Sequence, residues 1–361
     1  MDAGGPGPLT IAVTLGDPGG IGPEIVCCAL SPSARGRACE GVRFVIHGSS
    51  TAMHTAAQVT GVEPYWWRVD RGSQLIGAAR EHDVVLVDAD PAMREELSGN
   101  GSGRELRFEH RPTRLGGGLS YQWVDDAVEA AKRGRDDPDR ADAIVTAPIS
   151  KEAWHAAGRK RFAGHTDMLA SRFDARRICM MFEGPRLRVS LATVHIPLMD
   201  VQHKLTIGAV YDAIDLGAQG CRQLGAAEPR IAVCGLNPHA GEAGLMGDEE
   251  ARLIEPAIQV AVEHGLDVRG PFPGDTVFNR AIEGEFDLVV AMYHDQGLIP
   301  VKLLDRDASV NVTVGLPTVR TSPDHGTAFD IAGAGKAQAG SMSAAIETAA
   351  RMARRREQRD R

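Results

Sequence analysis

Short, nearly continuous apolar runs alternate along the chain with longer stretches in which apolar residues recur every three or four positions. The segments LTIAVTL (9–15), VRFVIHG (42–48), VVLVD (84–88), AIVTAP (143–148), LRVSLATVH (187–195), RIAVCGLNP (230–238) and FDLVVAMY (286–293) have the length and β-branched content of buried strands. Between them, PEIVCCAL (23–30), SYQWVDDAVEAAKRG (120–134), SKEAWHAAG (150–158) and GDEEARLIEPAIQVAVEHG (247–265) show helical spacing. Gly134 is placed to stop one of these helices, and the last opens on an acidic turn and closes at a glycine. A final helix is predicted from about Met342 to Arg356. Such alternation predicts an α/β protein with a mostly parallel sheet flanked by helices. A chain of 361 residues predicts two domains, or one large one.

Composition narrows the class. A formal net charge of −8 disfavours nucleic acid as the main partner, because phosphate backbones need a basic surface. The basic tail ARRREQRDR is the exception, and reads as a solvated helix end whose cations suit the helix dipole. No apolar run approaches the roughly 20 residues that span a bilayer. The opening MDAGGPGPLT lacks a charged segment followed by an apolar one, so it reads as a lead-in to the first strand and not a secretory signal. The stretch SGNGSGREL (98–106) reads as a surface loop. The six cysteines form no CxxC and sit among apolar neighbours, as buried thiols of a reducing compartment do. A cytoplasmic protein with no membrane partner is expected.

Several of the predicted strands end in polar clusters: LGDPGGIGPE, ATVHIPL, CGLNPHAGEAG and MYHDQG. Ligands of open α/β sheets bind beyond the carboxyl ends of strands, so these clusters predict one shared crevice. Of twelve histidines, His195, His239 and His294 follow apolar strands and are followed closely by Pro or Gly. If the strands are neighbours, three imidazoles converge, as in a metal site with an open fourth position. The alternative is that each caps its own strand. GHTD (164–167) offers a histidine, a hydroxyl and helix-start amides suited to an anion, or else an ordinary N-cap by Thr166 or Asp167. GDPGGIGPE (16–24) is a strand-to-helix loop that does not follow the dinucleotide fingerprint, and is open to a turn or a binding role. SPDHGTAFDIAGAGKA (322–337) is rich enough in small residues to press backbone against a flat ligand.

Together GDPGGIGPE, GHTD, ATVHIPL, CGLNPHAGEAGLMGDEE, GPFPGDTVF, AMYHDQG and VNVTVGLPTVRTSPDHGTAFDIAG resemble the 4-hydroxythreonine-4-phosphate dehydrogenase family of pyridoxine and pyridoxal phosphate biosynthesis, from Gly16 to about Ala337. The resemblance implies the two-domain fold of the isocitrate and isopropylmalate dehydrogenases, with residues 1–150 and 310–361 forming a first domain that carries much of the NAD site and 151–309 a second. It implies a homodimer with the active site in an interdomain cleft at the subunit interface. The family's metal ligands fall on His195, His239 and His294, for zinc or for magnesium, manganese or cobalt. Substrate contacts fall on His165, Thr166, Lys302, Asn311 and Arg320, with Asp275 nearby. The segment HGTAFDIAG is similar to the isopropylmalate dehydrogenase loop that holds the adenosine part of NAD, which implicates His325, Gly326, Ala328 and Asp330. The implied reaction is NAD- or NADP-dependent oxidation of a phosphorylated hydroxy acid, followed by decarboxylation. Lys302 and Asp275 are candidates for proton transfer, and Asp295 or a metal-bound water would also serve as the base.

The family is divided by substrate. Some members oxidise 4-phospho-threonate or 4-phospho-erythronate, and others the phosphate-free cis-dihydrodiol of terephthalate. Retention of GHTD, Lys302, Asn311 and Arg320 disfavours the dihydrodiol, while GDPGG leans towards the catabolic phospho-acids. A metallohydrolase using the same histidines would need no NAD and would leave HGTAFDIAG without a use. A non-catalytic metal-binding protein would turn over none of these acids.

Overall fold

A computed structural model describes residues 8–91, 93 and 106–360. The predicted surface loop at 98–106 lies outside them apart from Leu106, as does most of the lead-in. The chain divides into two compact units, Met1–Phe173 with Thr318–Arg354, and Asp174–Pro317 with Arg355–Arg361. No described helix is long and apolar enough to cross a membrane.

The first unit holds strands β1 (Leu9–Thr14), β2 (Val42–Gly48), β3 (Trp67–Asp70), β4 (Val84–Asp88), β5 (Ala143–Thr146) and β12 (Val319–Pro323), in the order β3-β4-β2-β1-β5-β12. Every pair is parallel. β1 is buried along its whole length, as a strand covered on both faces must be. Helices α1 (Gly22–Ala29), α2 (Ser50–Thr60), α3 (Arg114–Lys132), α4 (Lys151–Ala156) and α5 (His165–Arg172) follow in chain order. α3 begins six residues before the predicted SYQWVDDAVEAAKRG, because the glycine trio of RLGGG lies inside the helix after the Thr113 cap. Gly117 explains the trio in part. A Cβ there would stand 1.9 Å from the Ala153 carbonyl oxygen, so glycine lets α4 press against α3. Trp154 seals that contact, with its Nε1–H donating to Ser120 Oγ at 3.0 Å. This packing keeps residues 151–172 with the first unit, where the sequence places the change at 150.

The second unit orders β6 (Cys179–Glu183), β7 (Arg188–Leu191), β8 (Ile231–Cys234), β9 (Val268–Phe272), β10 (Leu288–Ala291) and β11 (Val310–Val314) as β11-β6-β7-β10-β8-β9. β7, β10, β8 and β9 are parallel, while β6 runs antiparallel to both β7 and β11. The pairing of β11 with β6 holds residues 310–317 in this unit. The core gathers Phe182, Val189, Leu191, Val277, Val289, Leu298 and their neighbours. Helices α6 (Val201–Lys204), α7 (Ile207–Leu224), α8 (Glu255–Glu263), α9 (Val277–Ile282) and α10 (His294–Asp305) belong here, and α11 (Gly340–Asp360) closes the chain. α8 is preceded by a π turn over Glu250–Ile254. The wide turn accompanies a buried Glu250, whose carboxylate accepts from the Leu236 and Asn237 amides at 2.8 and 2.7 Å.

Candidate active site

In the second unit, the strand ends that carry the three candidate histidines are tied by polar side chains. Thr193 Oγ1 donates to the Met292 carbonyl at 2.7 Å, joining the ends of β7 and β10. Gln296 accepts from the Met292 amide at 2.7 Å and donates to the Gly235 carbonyl at 2.8 Å, joining β10 to β8. The sequence presents Gln296 only as part of a polar tip, and its clamping role becomes visible in three dimensions. Two of the three histidines meet: the His195 and His294 rings lie 5.5 Å apart at 40°. His294 opens α10, and its Nδ1 lies 2.7 Å from Asp295 Oδ1. A carboxylate only accepts, so Nδ1 carries the proton and Nε2 is left as the donor atom for a metal. A cavity of about 170 Å³ opens beside this pair, lined by Thr193, His195, Tyr293 and His294.

His239 is exposed on the loop after β8, inside a run of left-handed residues from His239 (φ 52°) to Ala243 (φ 55°). His195 is left-handed as well, at φ 47°. Non-glycine residues hold this conformation at a cost of about 1–2 kcal/mol each, and such strain gathers at functional sites. Among the described residues no three His, Cys, Asp or Glu side chains stand close enough together to hold a metal ion. The arrangement thus places two imidazoles together and does not bring His239 to them. Lys302 is exposed on α10, about 12 Å along the helix from His294. Asp275 is exposed in the turn before α9. Asn311 lies on β11, and its buried Oδ1 has no described protein partner.

The first unit assembles a different site. His165 opens α5 with its ring edge-on to Trp154 at 5.8 Å, and its Nε2 is buried with no described protein partner. Burial, and then the charges of Arg320 and Lys151, hold its pKa well below the usual 6.5. Arg320 lies in β12 with 2% of its surface exposed, and its Nη2 donates to Thr146 Oγ1 at 2.7 Å. Burial lowers the Arg320 pKa to about 10, which leaves it charged at neutral pH. Lys151, which in the sequence is only the residue after a helix N-cap serine, heads α4 beside this cluster. Thr166 is half-buried on the first turn. The N-cap of α5 is Gly164 and has no side-chain cap; Asp167 instead accepts from the Ala163 amide at 3.2 Å.

The loop carrying His325, Gly326, Ala328 and Asp330 also belongs to the first unit. His325, Gly326 and Asp330 are exposed, and Ala328 is left-handed at φ 41°. This loop is fastened to the GDPGGIGPE segment. The buried Glu24 carboxylate accepts from the Gly333 and Gly335 amides at 2.5 and 3.1 Å, and the Ile21 amide donates to the Thr327 carbonyl at 2.9 Å. A cavity of about 320 Å³ is lined by Pro18, Gly20, Glu24, His110 and Gly333. Glu24 is therefore a loop anchor that ties the GDPGGIGPE segment to the small-residue loop. Asp17 of the same loop is buried, and its pKa is pushed up to about 6, with the Gly19 amide opposing the rise.

The profile of the family described as "Pyridoxal phosphate biosynthetic protein PdxA" matches residues 43–349. The chain is 43% identical over 344 residues to a 4-hydroxythreonine-4-phosphate dehydrogenase of Geobacter metallireducens, covering 95% of each chain. It is 41% identical over 346 residues to a D-threonate 4-phosphate dehydrogenase of Salmonella typhimurium, covering 95% of this chain and 99% of the relative. The solved structure of a 4-hydroxythreonine-4-phosphate dehydrogenase from Klebsiella pneumoniae superposes with a TM-score of 0.77 at 36% identity, over 96% of this chain and 99% of that one.

Proposed function

This chain belongs to the PdxA family of dehydrogenases, and from that premise we propose that it oxidises a small phosphorylated hydroxy acid with NAD or NADP and releases carbon dioxide. The observation that carries the substrate class is the His165 cluster. A buried imidazole nitrogen without a protein partner stands near Arg320 and Lys151, at the start of a helix. Positive charge and helix-start amides suit a phosphate. A bound dianion would offset the two cations and let His165 take up a proton, adding a third charged contact. Thr166, Lys302 and Asn311 would complete the polar surroundings of the acid.

His195 and His294, with His239 as third donor, would hold a divalent metal, zinc before magnesium, manganese or cobalt. When bound, such an ion supplies Lewis acidity at a substrate oxygen. The chain's own part is to keep His294 in one tautomer through Asp295 and to hold the strand ends together through Thr193 and Gln296. A nicotinamide cofactor, when bound, would supply the hydride acceptor, and the hydroxyl proton would pass to a base of this chain. Lys302 and Asp275 are the side chains proposed for the proton. The product carries a carbonyl β to its carboxylate and so loses carbon dioxide readily. His325, Gly326, Ala328 and Asp330 would present the loop to the adenosine end of the cofactor, with Glu24 fixing its shape. A homodimer is the proposed assembly.

The phosphate cluster does not discriminate between an amino and a hydroxyl group next to the reacting carbon, and relatives of both kinds match about equally well. The deciding assay is NADH formation with divalent metal present, on 4-phosphohydroxy-threonine, 4-phospho-threonate and 4-phospho-erythronate side by side. Turnover of the amino acid alone assigns the chain to pyridoxal phosphate synthesis, and preference for a phospho-threonate assigns it to acid catabolism. Inactivity on all three, with metal and NAD bound, would refute the proposed substrate class.

A further inference from the structure

A cavity in the first unit is lined by none of the residues proposed above for substrate, metal or cofactor. It measures about 460 Å³, within the usual range for a site that binds a small molecule. Its floor is the face of the sheet formed by Ala12, Val45, Val85 and Val87, and its opposite wall is α3 at Ala130. Val45 shows that the space is real to its neighbours. It sits in the middle of β2, between β1 and β4, and is half-buried where the rest of that strand is buried.

Two buried polar side chains line the space. His47 is 7% exposed, and neither ring nitrogen has a described protein partner. Arg43 is also 7% exposed; one terminal nitrogen donates to the Pro138 carbonyl at 2.8 Å, while Nε has no described partner. A buried polar group without a partner is destabilising, so both call for something that completes them. Burial pulls the His47 pKa down to about 4, and the ring is neutral at pH 7 with one donor and one acceptor.

The charges at the mouth limit what can enter. Arg71 is engaged by both oxygens of Asp126 at 2.8 Å, and Arg133 lies 3.8 Å from Asp139. Glu129 adds a further negative charge. With Arg43, the three lining arginines match the three lining carboxylates Asp126, Glu129 and Asp139, so neither a phosphate nor an ammonium group is favoured. Ala12, Val45, Val85, Val87, Ala130 and Ala141 give the lining an apolar part that suits a ring system. We infer that this cavity binds a neutral N-heteroaromatic molecule of one or two rings, whose ring N–H donates to the free ring nitrogen of His47 and whose second ring nitrogen accepts from Arg43 Nε.

The test uses the full-length protein with nitrogen-labelled histidine and benzimidazole as the probe, which is flat, neutral and both donor and acceptor. The His47 ring signals are assigned by their loss in His47→Phe, or in His47→Gln should the first not fold. The expected result is a saturable shift of the His47 signals. Indene, the same shape without nitrogens, should bind about tenfold more weakly, and Ala130→Leu, which narrows the slot, should lose about tenfold in affinity while keeping its far-ultraviolet circular dichroism. The inference is overturned by no saturable His47 shift up to the solubility limit of benzimidazole, by equal binding of indene, or by unchanged affinity in a folded Ala130→Leu protein. None of these outcomes depends on dehydrogenase turnover.

Discussion

The two candidate sites of this chain are built to different degrees. In the first unit, Arg320 and the His165 ring nitrogen are buried, and Trp154, Thr146 and Lys151 surround them before any ligand arrives. In the second unit, His195 and His239 are exposed, His294 is partly so, and only two of the three rings stand together. The difference follows from where each side chain sits. Arg320 is buried inside a strand, where register and packing leave it one place to be. The histidines sit just beyond strand ends, on left-handed turns or a helix start, where a ligand has to finish the geometry. A buried cationic pocket can be inherited from the fold, whereas an exposed donor set is completed by what binds it.

Predictions that separate the two follow from this contrast. Arg320→Ala should lower kcat/KM for a phosphorylated substrate by roughly 10²–10³, mainly through KM, while metal content after dialysis stays normal. Asp295→Asn should do the reverse, weakening metal retention by about 10- to 100-fold through loss of the His294 tautomer lock, with little change in dependence on the substrate phosphate. Thr146→Val removes one acceptor from Arg320 and should raise KM by about tenfold, again without touching the metal. The smallest effect is on stability. His165 is held neutral in the folded chain, while the unfolded chain takes up a proton near pH 6.5. Its contribution to stability is therefore complete above pH 6.5 and is lost as pH falls below it. Denaturant midpoints measured from pH 7.5 down to about 5 should fall less steeply in His165→Gln than in the parent protein.

Much of this was legible from one chain of letters. The apolar runs of β1, β2, β4, β5, β8 and β10 announce buried parallel strands. β12 does not, because Arg320, Thr321 and Ser322 are polar residues buried for function and packing, and an apolar-run criterion passes over them. β3 was missed because WRVD buries only Val69. Among site residues, the strand-end rule found His195 and His294 and their proximity is observed. It could not see that His239 sits on a left-handed loop anchored by Glu250, since no local pattern encodes five successive left-handed residues. Glu24 and Gln296 escaped because each acts through a contact distant in sequence: Glu24 reaches Gly333, and Gln296 reaches Gly235.

The central claim is that the buried His165–Arg320 cluster reads the substrate's phosphate. Its most direct test is the ratio of kcat/KM for 4-phosphohydroxy-threonine to that for 4-hydroxythreonine, in the parent protein and in Arg320→Ala. The 4-phospho-threonate pair replaces this one should that acid prove the better substrate. The account predicts a preference of about 10³ for the phosphorylated acid in the parent, shrinking to within about tenfold in the variant. An active parent enzyme indifferent to the phosphate, or a variant that keeps the full preference, would contradict it.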